Sequence, residues 1–410
     1  MNHVARQAWR VAIGLVLGLA FAPRLAHAQE SFFSLNFLGI SEETGDVRAR
    51  GFGVLGIALP EDKTAIALNP ASMAQLSRMT LSVMGLAGSR TSRDALGEAQ
   101  QGVARFPHQR FALPIPGNFV ISAGFVGLRN TRSNFRLPVH VLDGFTYLER
   151  FERDGTLYTI PIGLARNLGP HVHLGLTLDF LLGTIDESWT VRGDSLIALR
   201  TRRRDAFDDR SVTLGALVEP LGWLHVGATV SPEMSATRSE RTTIEDTRLA
   251  NGSNGVRDAT VLAKVRFPAT WRLGVAANAG RHLLLSADAM RRDWGVYDGR
   301  LYEAESAGLE SRIGGGLEYR PLRWQWWGRL AYRAGVSRLT WPQRVGGNPL
   351  RETTLHVGTG LDIKNSRGRL DLGFEYASLG SFSQNGREER TWRFMFGFSG
   401  QEVWSRRSPR

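Results

Sequence analysis

The chain has 410 residues, no cysteine and a formal net charge of +12. Without cysteine there is neither a disulfide framework nor thiol chemistry. So basic a balance would suit nucleic acid, but the first residues form an export signal, which argues against a nucleic-acid partner.

Arg6 and Arg10 precede the apolar run VAIGLVLGLAFA, residues 11–22, and AHA at 26–28 is a small-x-small cleavage site. The run is shorter than the roughly 17 residues a spanning helix needs. Residues 1–28 therefore read as a signal peptide cleaved near Ala28-Gln29. No later run approaches the length of a helical span, so helical crossing of a membrane is excluded.

Residues 29–76 contain SFFSLNFLGI and GFGVLGIAL, which are apolar, punctuated by glycine and too irregular for spanning strands. They are expected as a plug inside a barrel lumen; a periplasmic tail is the other option, against which their apolar content argues. GFGVLG lacks the strand–helix unit of a dinucleotide site. At the end of this segment Asn69 precedes Pro70 and is thereby pushed to extended backbone. Its side chain can cap the following amides, with Pro70 at the first helical position and one or two helical turns in ASMAQL. Asn69-Pro70-Ala71 reads as a rigid hinge between plug and wall, or as a plain helix cap.

From residue 77 onward side chains alternate at period two, the signature of strands with two unlike faces. In HVHLGLTLDFLL, residues 171–182, Leu174, Leu176, Leu178 and Phe180 oppose His173, Gly175, Thr177 and Asp179. In 281–294, Leu283, Leu285, Ala287 and Ala289 oppose Ser286, Asp288, Met290 and Arg292. The same split recurs in 328–336, 354–363 and 369–379. One face is apolar; the other mixes charge with glycine, as if it met a tight interior. Aromatics gather at strand ends: Trp189, Trp294, Trp326, Trp327, Tyr319, Tyr376 and Trp392. Long strands, an apolar outer band, aromatic belts and a polar lumen describe an outer-membrane barrel.

Fifteen strand-like segments begin near 77, 106, 118, 155, 170, 208, 222, 257, 270, 282, 311, 326, 353, 368 and 389. Bacterial single-chain barrels have even strand numbers, so one is miscounted. The pair around 264–277, interrupted by Pro268, is the suspect. The polar stretches 131–153, 192–207, 235–256, 297–309 and 340–351 read as extracellular loops. TRRRDAFDDR, residues 201–210, reads as a solvated loop or as a grip on lipid phosphates. The final strand carries Trp392, Phe394, Phe396 and Phe398 on one face and is expected to close against the first strand near Met79. Phe394, Phe396, Phe398 and Trp404 also look like the C-terminal signal read by the barrel-assembly machinery, one expected partner.

Chemistry is sparse. His171 and His173 lack a third ligand at defined spacing, and no Gly-x-Ser-x-Gly elbow is present. No metal, cofactor or enzymatic activity is expected. The inward charges Asp288, Arg292, Arg329, Arg333, Asp362, Asp371 and Glu375 are expected to pair and brace the plug, because charge in a narrow interior needs partners.

A Gly- and Ala-rich lead, then Asn-Pro-Ala, then a first strand resembles the FadL/TodX family of outer-membrane transporters of hydrophobic compounds. FSLNF, the stretch 267–294 and the C-terminal stretch 369–407 look like the same family. The resemblance implies an all-β, transmembrane antiparallel barrel of about fourteen strands, residues 77–410, with an N-terminal hatch, residues 29–76, in its lumen. It implies a bacterial outer-membrane setting among lipid and lipopolysaccharide. Long-chain fatty acids or aromatic hydrocarbons would pass by a hatch rearrangement and a kink in the wall. Asn69, Pro70 and Ala71 are the hatch triplet; no ligand-contacting residue carries over. The same pattern is similar to PorV-like barrels, partners in type IX protein secretion, and an open diffusion porin is the third alternative.

Overall fold

The computed structural model describes residues 31–402 apart from 36, 43–44, 66, 96, 137–139, 143–144, 194–197, 247–254, 299–306, 322–329 and 364–367. The signal peptide, Trp326, Trp327, Arg329 and Trp404 lie outside the described residues.

Fourteen antiparallel strands close into a barrel. They are β1 (Met79–Asp94), β2 (Gly97–Ile115), β3 (Phe119–Arg136), β4 (Phe145–Asn167), β5 (Val172–Gly193), β6 (Ala198–Leu221), β7 (Leu224–Ser231 with Met234–Asp246), β8 (Gly255–Phe267 with Thr270–Ala279), β9 (Leu283–Asp293), β10 (Leu309–Tyr319), β11 (Leu330–Val345), β12 (Asn348–Asp362), β13 (Gly368–Ser381) and β14 (Arg387–Glu402). β14 closes the wall against β1, from Glu388↔Arg93 to Glu402↔Met79. Closure leaves no long sheet edge to pair with another chain.

The fifteen segments of the sequence become fourteen strands because those starting near 257 and 270 are two halves of β8, broken at Pro268. Proline has no N–H to give to a ladder, so it interrupts pairing without ending the wall. β7 is broken alongside it at Pro232, and the two breaks are neighbours: Ser231 pairs with Thr270 and Met234 with Phe267. β6 pairs with β7 up to Asp208↔Thr237 and again from Leu214↔Val230, leaving residues 209–213 without a β7 partner.

A second irregularity lies between β2 and β3. They pair only from His108↔Val126 to Ile115↔Phe119. Above that, the free edge of β3 is taken by Ile40 and Ser41 of the N-terminal segment, opposite Asn130 and Arg129.

Apart from β9 and β10, the strands run longer than the roughly 9–11 residues that cross a bilayer. β4, β5 and β6 have 23, 22 and 24 residues. Much of what reads as extracellular loop, including 145–153 and 198–207, is strand, because polar residues continue the ladder beyond the apolar band. The Arg-rich stretch 201–210 is thus wall, not a solvated loop. Arg203 turns inward to Glu187 and Asp205, while Arg202 and Arg204 face out to Glu245 and Asp186.

The alternation sorts as the sequence predicts: Leu355 and Val357 are exposed on the outer face, with His356 and Glu375 buried on the inner one. Trp189, Tyr319, Tyr376 and Trp392 are exposed on the outside. Trp294 is not part of that belt. It is 2% exposed and stacks edge-on against Phe37, ring centroids 4.5 Å apart, inside the barrel. Its position just after β9 turns it across the lumen rather than toward lipid.

The inner face is paved with glycine where the N-terminal segment passes. A Cβ on Gly335 would overlap the Phe52 carbonyl and lie 2.8 Å from Gly53 N; one on Gly274 would lie 2.9 Å from Ile57 Cβ. Gly175 and Gly215, partners across β5 and β6, face Pro70 and Asn69 at similar range. Only hydrogen on these Cα atoms leaves room for the segment's backbone. Gly335→Val should therefore cost about 1–3 kcal/mol by overpacking and displace Phe52 while the barrel stays closed. The expected result is unchanged heat-modifiable migration with faster tryptic cleavage after Arg48 and Arg50; unchanged protection would contradict it.

Candidate functional site

The interior of the barrel concentrates the buried polar groups; the wall carries most of them, and the N-terminal segment adds Asp46, Arg48, Arg50, Glu61 and Asn69. Its first anchor is the short helix Val47–Gly51, capped by Asp46, whose carboxylate accepts from Ala49 N. The helix points two guanidiniums at the wall. Arg48 forms a two-pronged pair with Glu318 of β10, both contacts at 3.0 Å, and a third contact with Glu61 at 3.0 Å. Arg50 grips Glu375 of β13, with Nε donating at 2.7 Å. The wall extends the chain of charges: Arg333 lies 2.6 Å from both Glu318 and Asp371, and Arg369 lies 2.9 Å from both Glu61 and Asp362. Arg393 joins Glu375 to Glu352. Most of these side chains are under 10% exposed, so unpaired they would be costly. Asp288 of β9 forms no ion pair among the described residues; it accepts from the backbone N–H groups of Leu55 and Gly56 at 2.6 and 3.0 Å.

A second anchor lies nearer the rim opposite Met79 and Glu402. Arg129 of β3 pairs with Glu310 at 2.8 Å and donates to Gly39 O at 3.2 Å. Trp294 Nε1 donates to the same Glu310 at 2.6 Å. Glu42 accepts an ion pair from Arg105 of β2, and Glu42 N donates to Leu128 O at 3.0 Å. Ile40–Glu42 therefore bridges the gap between β2 and β3.

The triplet forms the third anchor. Asn69 is fully buried in extended backbone (φ −93°, ψ 110°) before a 3-10 helix, Pro70–Gln75. Its Oδ1 accepts from Ala71 N at 3.0 Å. Its Nδ2 donates to Ile57 O at 2.8 Å and to Ala216 O of β6 at 3.0 Å. One side chain thus ties the helix start, the preceding loop and the barrel wall. Asn167 Nδ2 holds the other end of the helix through Ala74 O at 2.9 Å. Pro70 packs against the glycine pair of the wall, and Ala71 is fully buried among Ala49, Phe52 and Leu217.

Above the triplet is a cavity of about 130 Å³, floored by Ala67, Leu68 and Pro70. Leu128, Leu181, Met234, Phe267 and Trp294 line its apolar part; Arg110, Asp179, Thr213 and Arg272 line its polar part. Both proline breaks, Pro232 and Pro268, border it. Arg110 is 5% exposed and donates to Ala67 O at 3.0 Å, while its Nε and Nη2 have no hydrogen-bond partner among the described residues. Asp179 accepts from Thr213 at 2.8 Å and Thr177 at 3.2 Å.

Phe394, Phe396 and Phe398 lie on the outer face of β14. Phe394 is 58% exposed, and Phe396 lies over Gly85 of β1 and edge-on to Phe106, centroids 6.0 Å apart. His173 is buried beside Asn167, whereas His171 is exposed in the preceding turn. Among the described residues no group of three His, Asp or Glu side chains is placed to hold a metal. Sequence reading passes over Arg48, Arg50, Arg110 and Arg129. For Arg110 and Arg129 the signal is present, since each sits at an inward position of an alternating strand. For Arg48 and Arg50 it is not, because the segment carrying them has no period to follow.

A closed barrel whose N-terminal segment packs against its inner face is an outer-membrane barrel architecture. Several solved structures share this fold. A Pseudomonas aeruginosa FadL homologue superposes with a TM-score of 0.63 at 14% identity, over 90% of this chain and 100% of that one. The Ralstonia pickettii toluene transporter TbuX gives 0.60 at 13%, covering 88% and 99%. The P. putida toluene transporter TodX gives 0.58 at 13%, covering 89% and 100%. No curated protein matches the sequence. The family model described as BamG matches residues 11–409, and the chain belongs to that family.

Two outcomes follow from the anchors. Glu318→Gln leaves Arg48 and Arg333 short of a buried partner and should cost about 3–5 kcal/mol, read as a lower melting temperature and loss of protease protection over 46–62; a melting temperature within a degree of the parent would refute the role. Burial, with Glu61 and Asp371 nearby, pushes the Asp46 carboxyl up to about 7. Burial also acts on Glu61, but Arg369 and Arg48 hold its carboxyl below the ordinary value. A raised acid binds its proton more tightly in the docked state, so docking should strengthen as pH falls from about 7 toward the ordinary value of 3.8 and change little above 7. Hydrogen exchange at Ala49–Gly53, corrected for intrinsic rate, should slow over that window, and Asp46→Asn, which keeps the cap, should flatten the dependence.

Proposed function

We propose that the protein is a passive outer-membrane conduit for hydrophobic compounds, with residues 29–76 acting as its hatch. The observation carrying this reading is the cavity above Asn69-Pro70-Ala71. It is apolar on one side, ends in Arg110 on the other, and borders breaks in the wall. A ligand leaving water for the Leu128–Leu181–Phe267–Trp294 side gains roughly 25 cal/mol per Å² of apolar surface buried. The two unpartnered nitrogens of Arg110 suit a carboxylate, which favours a long-chain fatty acid over an aromatic hydrocarbon. The plug keeps water and ions from flowing freely. Passage then needs a way through the wall, and the β2–β3 gap supplies it: Ile40–Ser41 covers the free edge of β3 by only two residue pairs. Movement of that short stretch opens the gap, while Asn69, Pro70 and Ala71 hold the lower part of the hatch on β5 and β6.

Full-length protein in liposomes should take up labelled oleate above an empty-liposome control. Because the chain has no native cysteine, Ile40→Cys with Asn130→Cys gives a clean staple across register partners. Uptake should fall to the control level on oxidation and recover on reduction. Oleate uptake indistinguishable from control in the parent protein would sink the conduit reading; uptake unaffected by the staple would sink the β2–β3 route alone.

A second reading rests on the family match. The name BamG suggests an accessory barrel of the barrel-assembly machinery. It predicts stoichiometric co-purification with that machinery from native membranes and no oleate uptake.

A further inference from the structure

On the outside of the wall, directly behind the triplet, lies an apolar trough of about 710 Å³. Its position follows from the glycine packing. Gly175 and Gly215 are drawn against Pro70 and Asn69, and Gly227 and Gly274, partners across β7 and β8, are drawn against Ile57 and Ala58. The wall there is a bare backbone in thickness. Outward, the neighbouring pair Ala216↔Ala228 presents only methyl groups. Around that low floor stand Leu176, Leu214, Trp271 and Leu273, exposed by 42%, 47%, 60% and 63%. Small residues on both faces of one patch make a groove that a uniformly bulky barrel surface would not have.

The trough has one charged rim residue, Arg166 near the end of β4. The guanidinium lies 4.7 Å from the centre of the Phe119 ring, and no carboxylate among the described residues pairs with it. It sits at the end of the barrel where the chain enters at Met79 and leaves at Glu402, and where β6–β7 and β8–β9 are joined by tight turns. Short turns mark the periplasmic side of such barrels. A lone cation at that interface, continuous with a lipid-facing apolar groove, is complementary to a phosphate carrying an acyl chain.

We propose that this trough is a specific seat for one glycerophospholipid of the periplasmic leaflet, with an acyl chain over Ala216–Ala228 and the phosphate on Arg166. The proposal is independent of what the lumen carries. The seated chain covers the thin patch of wall that supports Asn69-Pro70, where a bulkier protein surface is absent.

The test is native mass spectrometry of full-length protein released from detergent micelles after incubation with phosphatidylglycerol or with the matching diacylglycerol. The parent protein should retain one phosphatidylglycerol per chain. Ala228→Phe, which fills the trough floor, should abolish retention of both lipids. Arg166→Gln should lower phosphatidylglycerol retention about tenfold, the scale of one charge-assisted hydrogen bond, to the level of diacylglycerol, whose own retention it leaves unchanged. Heat-modifiable migration and circular dichroism confirm that each variant is folded. Equal retention in all three proteins would show a non-specific annulus and overturn the proposal. So would a parent protein that emerges as a lipid-free dimer made monomeric by Ala228→Phe, since the trough would then seat a second copy.

Discussion

The architecture depends on one electrostatic constraint: guanidiniums carried by an aperiodic segment meet carboxylates carried by the barrel wall, away from water. Arg48 with Glu318 and Arg50 with Glu375 join residues more than 250 positions apart in sequence. Such pairs add little net stability relative to apolar packing, because desolvation offsets most of the attraction. What they supply is register. A bent segment of small and apolar residues could lie in a lumen in many ways, but only one way pairs Arg48, Arg50 and Glu61 at once. Wall charges close the network, with Arg333 and Arg369 reaching Asp371 and Asp362.

The constraint is steric as well. The charges reach one another only because the wall admits backbone against backbone. Glycines at 175, 215, 227, 274, 314, 316 and 335 lie along the path of residues 52–70. Each would weaken a strand of a soluble sheet, for lack of a side chain to pack; here each removes an obstacle. The same thinning has an outer consequence, since the patch backing Asn69 and Pro70 is also where the lipid-facing surface is hollow.

The proline breaks in β7 and β8 and the parting of β2 from β3 are local failures of hydrogen bonding in an otherwise continuous ladder. Unpaired backbone groups are tolerated only where something else covers them. At β3 that cover is Ile40–Ser41, a piece of the N-terminal segment. At β7 and β8 the break borders the lumen cavity. The interior therefore divides the work: the charge network that holds the short helix lies under β10–β14, and the cavity lies under β2–β9, beside the Asn69 anchor on β6.

Much of this was legible in the residues. Period-two alternation sorted lipid-facing from inward side chains in β5, β9, β11, β12 and β13, and the even-number rule pointed to Pro268 as the place where two segments are one strand. Local pattern misleads where polarity reads as loop: the stretch 201–210 is wall, because strands continue past the bilayer on charged pairs rather than apolar contacts. Trp294 was misplaced for a related reason, since a residue at a strand end can turn inward when a buried acceptor such as Glu310 awaits it. Composition and period alone determined the barrel, its approximate strand count and which faces meet lipid, because those follow from nearest neighbours along each strand. Only the tertiary structure decided where residues 31–76 run, which carboxylate receives which arginine and where the wall thins, because those depend on contacts between positions hundreds of residues apart that no local pattern encodes.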